Sequence, residues 1–82
     1  MDRKYLTEFY QYTETTRIPS NCNVITFVNN GSVNATINNF PLPAGTTFSI
    51  AGNNDEIDVT EYYINFGTSL AGSVWVIKKI NQ

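Results

Sequence analysis

The chain has 82 residues, 15% of them charged, with a formal net charge of -2, one cysteine and no histidine. That length fits one domain, and the balanced charge supplies neither the basic excess that nucleic acid demands nor a basic face for an anionic membrane. Without imidazole, His-containing triads, Cys-His dyads and His-based zinc sites are excluded, and a lone Cys22 closes no internal disulfide.

The first 20 residues are polar, Thr-rich and mixed in charge. Arg3 and Lys4 precede no apolar stretch of the kind a secretory signal needs, so Met1 is expected to be the start of translation. Within "KYLTEFYQYTETTR", Tyr5, Leu6, Phe9, Tyr10 and Tyr12 form an apolar cluster ahead of the strand-like sequence. Two conformations suit it. One is an amphipathic helix, with Tyr5 and Phe9, and Leu6 and Tyr10, at i,i+4 and Asp2 as the cap. The other is an extended arm, favoured by "TETT". Either way the rings need a surface. Residues 1 to about 18 are expected to leave the domain at an angle set by Pro19 and to bury these five side chains on another chain. Residues 1–20 thus read as a docking arm and 21–82 as the folded domain.

From residue 23 onward, apolar runs alternate with turn signals at the spacing of a small all-β fold. Five strands are predicted: "NVITFV" (23–28), "SVNATIN" (32–38), "TTFSIA" (46–51), "IDVTEYYINF" (57–66) and "SVWVIKKI" (73–80). Gly, Asn, Asp and Pro fill the joints. A three-residue loop, Asn29-Asn30-Gly31, would pair Phe27 with Val33 and Ile25 with Ala35, keeping apolar residues on one face. It would require a left-handed Gly31. In the fourth strand Ile57 and Val59 share one parity and Tyr62, Ile64 and Phe66 the other, so a bulge or bend is expected near Thr60-Glu61. "FPLPAG" reads as a surface connection with Phe40 and Leu42 folded back as a lid. The fold class is therefore a small antiparallel β-sandwich or partly closed barrel of about five strands with an N-terminal arm. Its core would hold Ile25, Phe27, Val33, Ala35, Ile37, Phe48, Ile50, Ile64 and Phe66. A domain of about 60 residues is marginal alone, and with no disulfide or evident metal, oligomerisation is the remaining remedy.

Candidate chemistry is sparse. Asp55, Glu56 and Asp58 crowd one turn, but their spacing is not that of an EF-hand loop, and a solvated acidic turn explains them. No second acid suggests a glycosidase pair. "NGS" and "NAT" match the glycosylation pattern in a sequence rich in Asn, Ser and Thr, and carry no weight without a secretory signal. Cys22 reads as an inert, partly buried small residue. Trp75 reads as a core or interface residue, with Lys78 and Lys79 guarding an exposed strand end. No catalytic residue, metal or cofactor is expected.

The stretch "ITFVNNGSVNATINNFPLPAGTTFSI…YYINFG…VWVIKK" resembles small β-sandwich virion proteins of tailed bacteriophages. The shared features are F-x-N-x-G at Phe27 to Gly31, P-L-x-x-G at Pro41 to Gly45, and a V-I-x-K-like last strand at Val76 to Lys79, over residues 24–79. The resemblance implies a non-enzymatic structural role in capsid decoration, a head-fibre base, or a neck or tail adaptor. Its partners would be other virion subunits, with the chain itself a homo-oligomer. It would be made in the host cytoplasm and reside in the virion; the charge balance, not the resemblance, argues against nucleic acid and membrane as partners. The arm lies outside the resemblance. The alternative is a carbohydrate-binding or adhesin module using Trp75 with Tyr62 or Tyr63 as an aromatic platform.

Overall fold

Among the described residues, eight strands, all antiparallel, pair as though one long ribbon had been folded in half and rolled. A computed structural model describes residues 4–53 and 55–82. The strands are β1 (Tyr5–Tyr12), β2 (Thr16–Pro19), β3 (Val24–Asn29), β4 (Ala35–Ile37), β5 (Phe40–Leu42), β6 (Thr47–Ala51), β7 (Glu61–Asn65) and β8 (Val74–Asn81). The first pairs with the last and the second with the seventh; the third pairs with the sixth and the fourth with the fifth. Two further pairings, β3 with β8 and β4 with β7, complete two four-stranded sheets. Their orders are β1-β8-β3-β6 and β2-β7-β4-β5. This is the eight-stranded, two-sheet jelly-roll arrangement. The all-β sandwich expected from the sequence is therefore present, but with eight strands rather than five, and no barrel closes. Among the described residues there is no helix, which removes the helical alternative for the opening segment. Its proposed cap, Asp2, lies outside the described residues.

The turn of the ribbon is written in "INNF". Asn38 and Asn39 both have positive φ, 49° and 68°, the pair of left-handed residues that a two-residue type I′ hairpin loop requires. Asn tolerates that region better than other side-chain-bearing residues. The Asn38 side chain also accepts from the Tyr63 amide at 2.7 Å, fixing the hairpin against β7. Phe40 and Leu42 are thus strand residues and not a lid. Leu42 enters the core, while Phe40 stays exposed and stacks on Phe48 of the other sheet at 4.7 Å.

The hairpin expected between residues 23–28 and 32–38 does not form. β3 and β4 belong to different sheets, and Gly31 is not left-handed. The cause is Asn29. It is buried, and its Nδ2 donates to the carbonyls of Val33 and Leu42 at 3.0 and 2.9 Å. Its Oδ1 accepts from the Gly31 amide. One amide side chain satisfies three backbone groups and turns the chain across the sandwich. Gly31 matters for another reason: a Cβ there would lie 2.8 Å from the Ser73 amide nitrogen.

The period break at Thr60 is real, but it marks where a strand begins instead of bending one. β7 starts at Glu61, directing Tyr62 and Ile64 inward with Phe66 just beyond it, whereas Ile57 and Val59 are exposed. Upstream, Asp58 bridges Cys22. The buried Ser20 hydroxyl lies 2.6 and 2.9 Å from the carbonyls of Asp58 and Thr60, securing this irregular stretch.

The core holds Ile18, Cys22, Ile25, Phe27, Ala35, Ile37, Leu42, Tyr62, Ile64, Phe66, Val74 and Val76. Of the nine predicted core residues, six are buried, and Val33, Phe48 and Ile50 pack against them. Ile18 and Tyr12 come from the segment expected to leave the domain. That expectation is corrected: β1 runs along the whole of β8 and β2 along β7, because both sheets need an edge strand there.

Candidate docking edge

β1 is a strand by pairing and an arm by exposure. Alternation places Tyr5, Thr7, Phe9 and Gln11 on the outer side of its sheet and Leu6, Glu8, Tyr10 and Tyr12 on the inner side. The inner side is only partly covered, because β2 in the facing sheet has four residues against eight in β1. Tyr12 reaches the core. Tyr5, Leu6, Phe9 and Tyr10 remain 62%, 49%, 63% and 38% exposed. All five residues singled out from the sequence are therefore gathered on one edge strand, four of them with apolar surface in water.

The backbone of β1 is half used. Lys4 accepts from the Gln82 amide at 2.8 Å, so even-numbered residues of this strand bond to β8. By the alternation of an antiparallel ladder, the amides and carbonyls of Tyr5, Thr7, Phe9 and Gln11 point to the open side. Such an edge is a template for another strand unless it is blunted. Two of the other edges are. β2 is short and carries Pro19 with a charged Arg17–Glu61 pair across to β7, and β5 has three residues including Pro41. The remaining edge, β6, has five residues. β1 has eight residues and no proline.

Cations border the edge. Lys79 lies 4.7 Å from the centre of the Tyr5 ring, and Lys78 lies 5.1 Å from that of Tyr10. Lys78 is buried and donates to the Pro19 carbonyl at 2.7 Å, so it anchors the inner face instead of guarding the edge as expected. Tyr10 donates to Glu8 at 2.9 Å. That bond, followed by burial, raises the Tyr10 phenol above its ordinary value, and burial does the same for Tyr12.

Alternation also leaves Phe9, Ile77, Trp75, Val24 and Val28 on the outer face of the same sheet, all less than fully buried. Sequence reasoning did not include Ile77, Val24 or Val28. Their signal is that β8 and β3 are apolar at both parities, a pattern read above as strand alone. The alternative aromatic platform is not assembled. Trp75 lies on the outer face of one sheet, Tyr63 on the other sheet beneath Arg17, and Tyr62 points into the core.

The acidic turn is engaged in local structure. Glu56 accepts from the Asn53 amide at 2.7 Å, and Asp58 accepts from the Thr60 amide and the Tyr62 hydroxyl. Burial would raise the Asp58 carboxyl, but hydrogen bonds from Tyr62, Thr60 and Ser20 outweigh it and hold the group below its ordinary value. Burial, reinforced by Asp58, pushes Tyr62 up to about 12. Burial also raises the Cys22 thiol, which disfavours the reactive thiolate. Among the described residues, no three His, Cys, Asp or Glu side chains come together as a metal site, and no helix is long and apolar enough to cross a membrane. Asn54, within the acidic turn, lies outside the described residues.

Comparison with protein-family models, curated proteins and solved structures found no match.

Proposed function

We propose that this chain is a non-enzymatic structural protein of a tailed-phage virion that docks on neighbouring subunits through β1. The observation that carries the reading is this long, proline-free eight-residue edge, with Tyr5, Leu6, Phe9 and Tyr10 exposed along it. An exposed apolar edge of this kind is an aggregation hazard in a free monomer and a binding surface in an assembly. The resemblance over residues 24–79 supports the virion setting, and viral capsid domains use the jelly-roll arrangement. Lectins use it as well, so the fold alone does not decide; the separation of Trp75 from Tyr62 and Tyr63 favours the structural role. The perturbed groups Asp58, Tyr62 and Cys22 lie in one hydrogen-bonded corner of the core, where they serve folding. The neighbouring subunits would be virion proteins: further copies of this chain, or capsid, portal, neck or tail subunits.

The test is the amount of this chain in purified particles when the host makes either the natural protein or Phe9→Ala/Tyr10→Ala. Both side chains are exposed, so the variant is expected to fold with an unchanged circular-dichroism spectrum and to be at least about tenfold depleted from particles, the effect of losing ~1.4 kcal/mol or more at the contact. Undiminished incorporation of the folded variant would refute docking through β1.

A further inference from the structure

We infer that the partner of β1 is a second copy of β1, paired antiparallel about a two-fold axis with Phe9 facing Phe9. The inference rests on the reading of β1 as the docking strand and names its occupant. An axis perpendicular to the sheet keeps both outer faces on one side, so each residue must meet one of its own parity. Sliding the strand against itself then leaves few centred registers. A centre at Glu8 sets two carboxylates opposite one another, which is destabilising. A centre at Thr7 faces Leu6 with Glu8, and one at Tyr10 faces Leu6 with Glu14.

The register centred on Phe9 has none of these defects. It joins Phe9 to Phe9 and Thr7 to Gln11 on the outer face, and Leu6 to Tyr12 and Glu8 to Tyr10 on the inner face. Just beyond the strand ends it brings Lys4 of each copy beside Glu14 of the other, so the charges are complementary at both flanks. The backbone agrees. Phe9, Thr7 and Gln11 are the residues whose amides and carbonyls point outward, so Phe9 exchanges two hydrogen bonds with its counterpart. The Tyr10 hydroxyl already reaches Glu8 along its own strand, and pairing would bring the other copy's Tyr10 to the same carboxylate. The product is one continuous eight-stranded sheet, β6-β3-β8-β1 joined to its two-fold image.

The test uses the full chain. Light scattering or sedimentation should give twice the 9.2 kDa chain mass. Phe9→Lys, which sets two like charges on the axis, should return the mass to that of one chain. Mixing Phe9→Lys with Phe9→Glu should restore the pair. Register is read by mild oxidation. Phe9→Cys should form an intermolecular disulfide, because hydrogen-bonded partners have Cα atoms about 5.5 Å apart, within disulfide reach. Thr7→Cys should not, since its counterpart is displaced along the strand; buried Cys22 stays silent in both. A natural chain that remains single at all concentrations overturns the inference; if Phe9→Ala/Tyr10→Ala is still lost from particles, docking by β1 on a different chain stands. A pair that survives Phe9→Lys, or that crosslinks through Thr7→Cys and not Phe9→Cys, overturns the inference as well.

Discussion

Single side chains decide where this chain turns. Asn29 and Asn38 show how much a sequence hides at that level. Both lie in Asn-rich joints that look alike, "NNG" and "NNF". One is a buried crossover tie and the other a left-handed hairpin residue. Turn composition announces that the chain bends, but not whether it returns in the same sheet; that depends on which distant carbonyls the amide can reach, here Leu42 for Asn29 and the Glu61 region for Asn38. The Asp58-Tyr62 contact gives a prediction at this scale. Asp58 is depressed in the fold, so its contribution is present above its unfolded value of about 4 and is lost as pH falls through the lower folded value. Tyr62 is raised, so its contribution is complete below about pH 10 and is lost as pH rises towards about 12. Melting temperature against pH should therefore decline at both ends. Tyr62→Phe removes a hydrogen bond to a charged group and should cost about 1.5–3 kcal/mol at neutral pH, while flattening the alkaline decline. An alkaline limb of equal steepness in Tyr62→Phe would contradict the assignment.

At the level of elements, the predicted strands in the middle of the chain were readable because one face of each lies in the core or packs against it. The alternation at Ile25 and Phe27, at Ala35 and Ile37, and at Tyr62, Ile64 and Phe66 is the core itself. β1 and β2 were not readable as strands. β1 carries apolar residues on both parities with no buried face to set the period, and "TRIP" is too short to show one. The same property that hid β1 as a strand drew attention to its side chains, and Tyr5, Leu6, Phe9, Tyr10 and Tyr12 all lie on that strand. Pairing changes what truncation should do. Removing residues 2–17 takes away β1 and half of β2, exposes β8 and β7, and strips Tyr12 from the core. The shortened chain is expected to lack cooperative unfolding by circular dichroism, where a detachable arm would have left the domain intact. A truncated chain that melts at the natural temperature would show that the two strands contribute nothing to the fold.

For the molecule as a whole, the jelly-roll pairing puts the first and last strands side by side, with β1 against β8 and the Gln82 amide donating to the Lys4 carbonyl. β1 is thus held along its length by the last strand of the same sandwich, a rigid support that an unpaired arm would lack. Assembly would then add a strand to a formed sheet, with little ordering left to do. The central claim, that β1 docks by its open edge, has a residue-by-residue signature in amide hydrogen exchange. The isolated chain, diluted until it is a single copy, and the chain within assembled particles should be exchanged in parallel, quenched and read at β1. Leu6, Glu8 and Tyr10 already bond to β8 and are expected to be protected in both. The amides of Tyr5, Thr7, Phe9 and Gln11 should exchange freely in the isolated chain and slow at least about tenfold on assembly, where strand addition supplies their partners. Free exchange of those four amides in the particle would contradict the account.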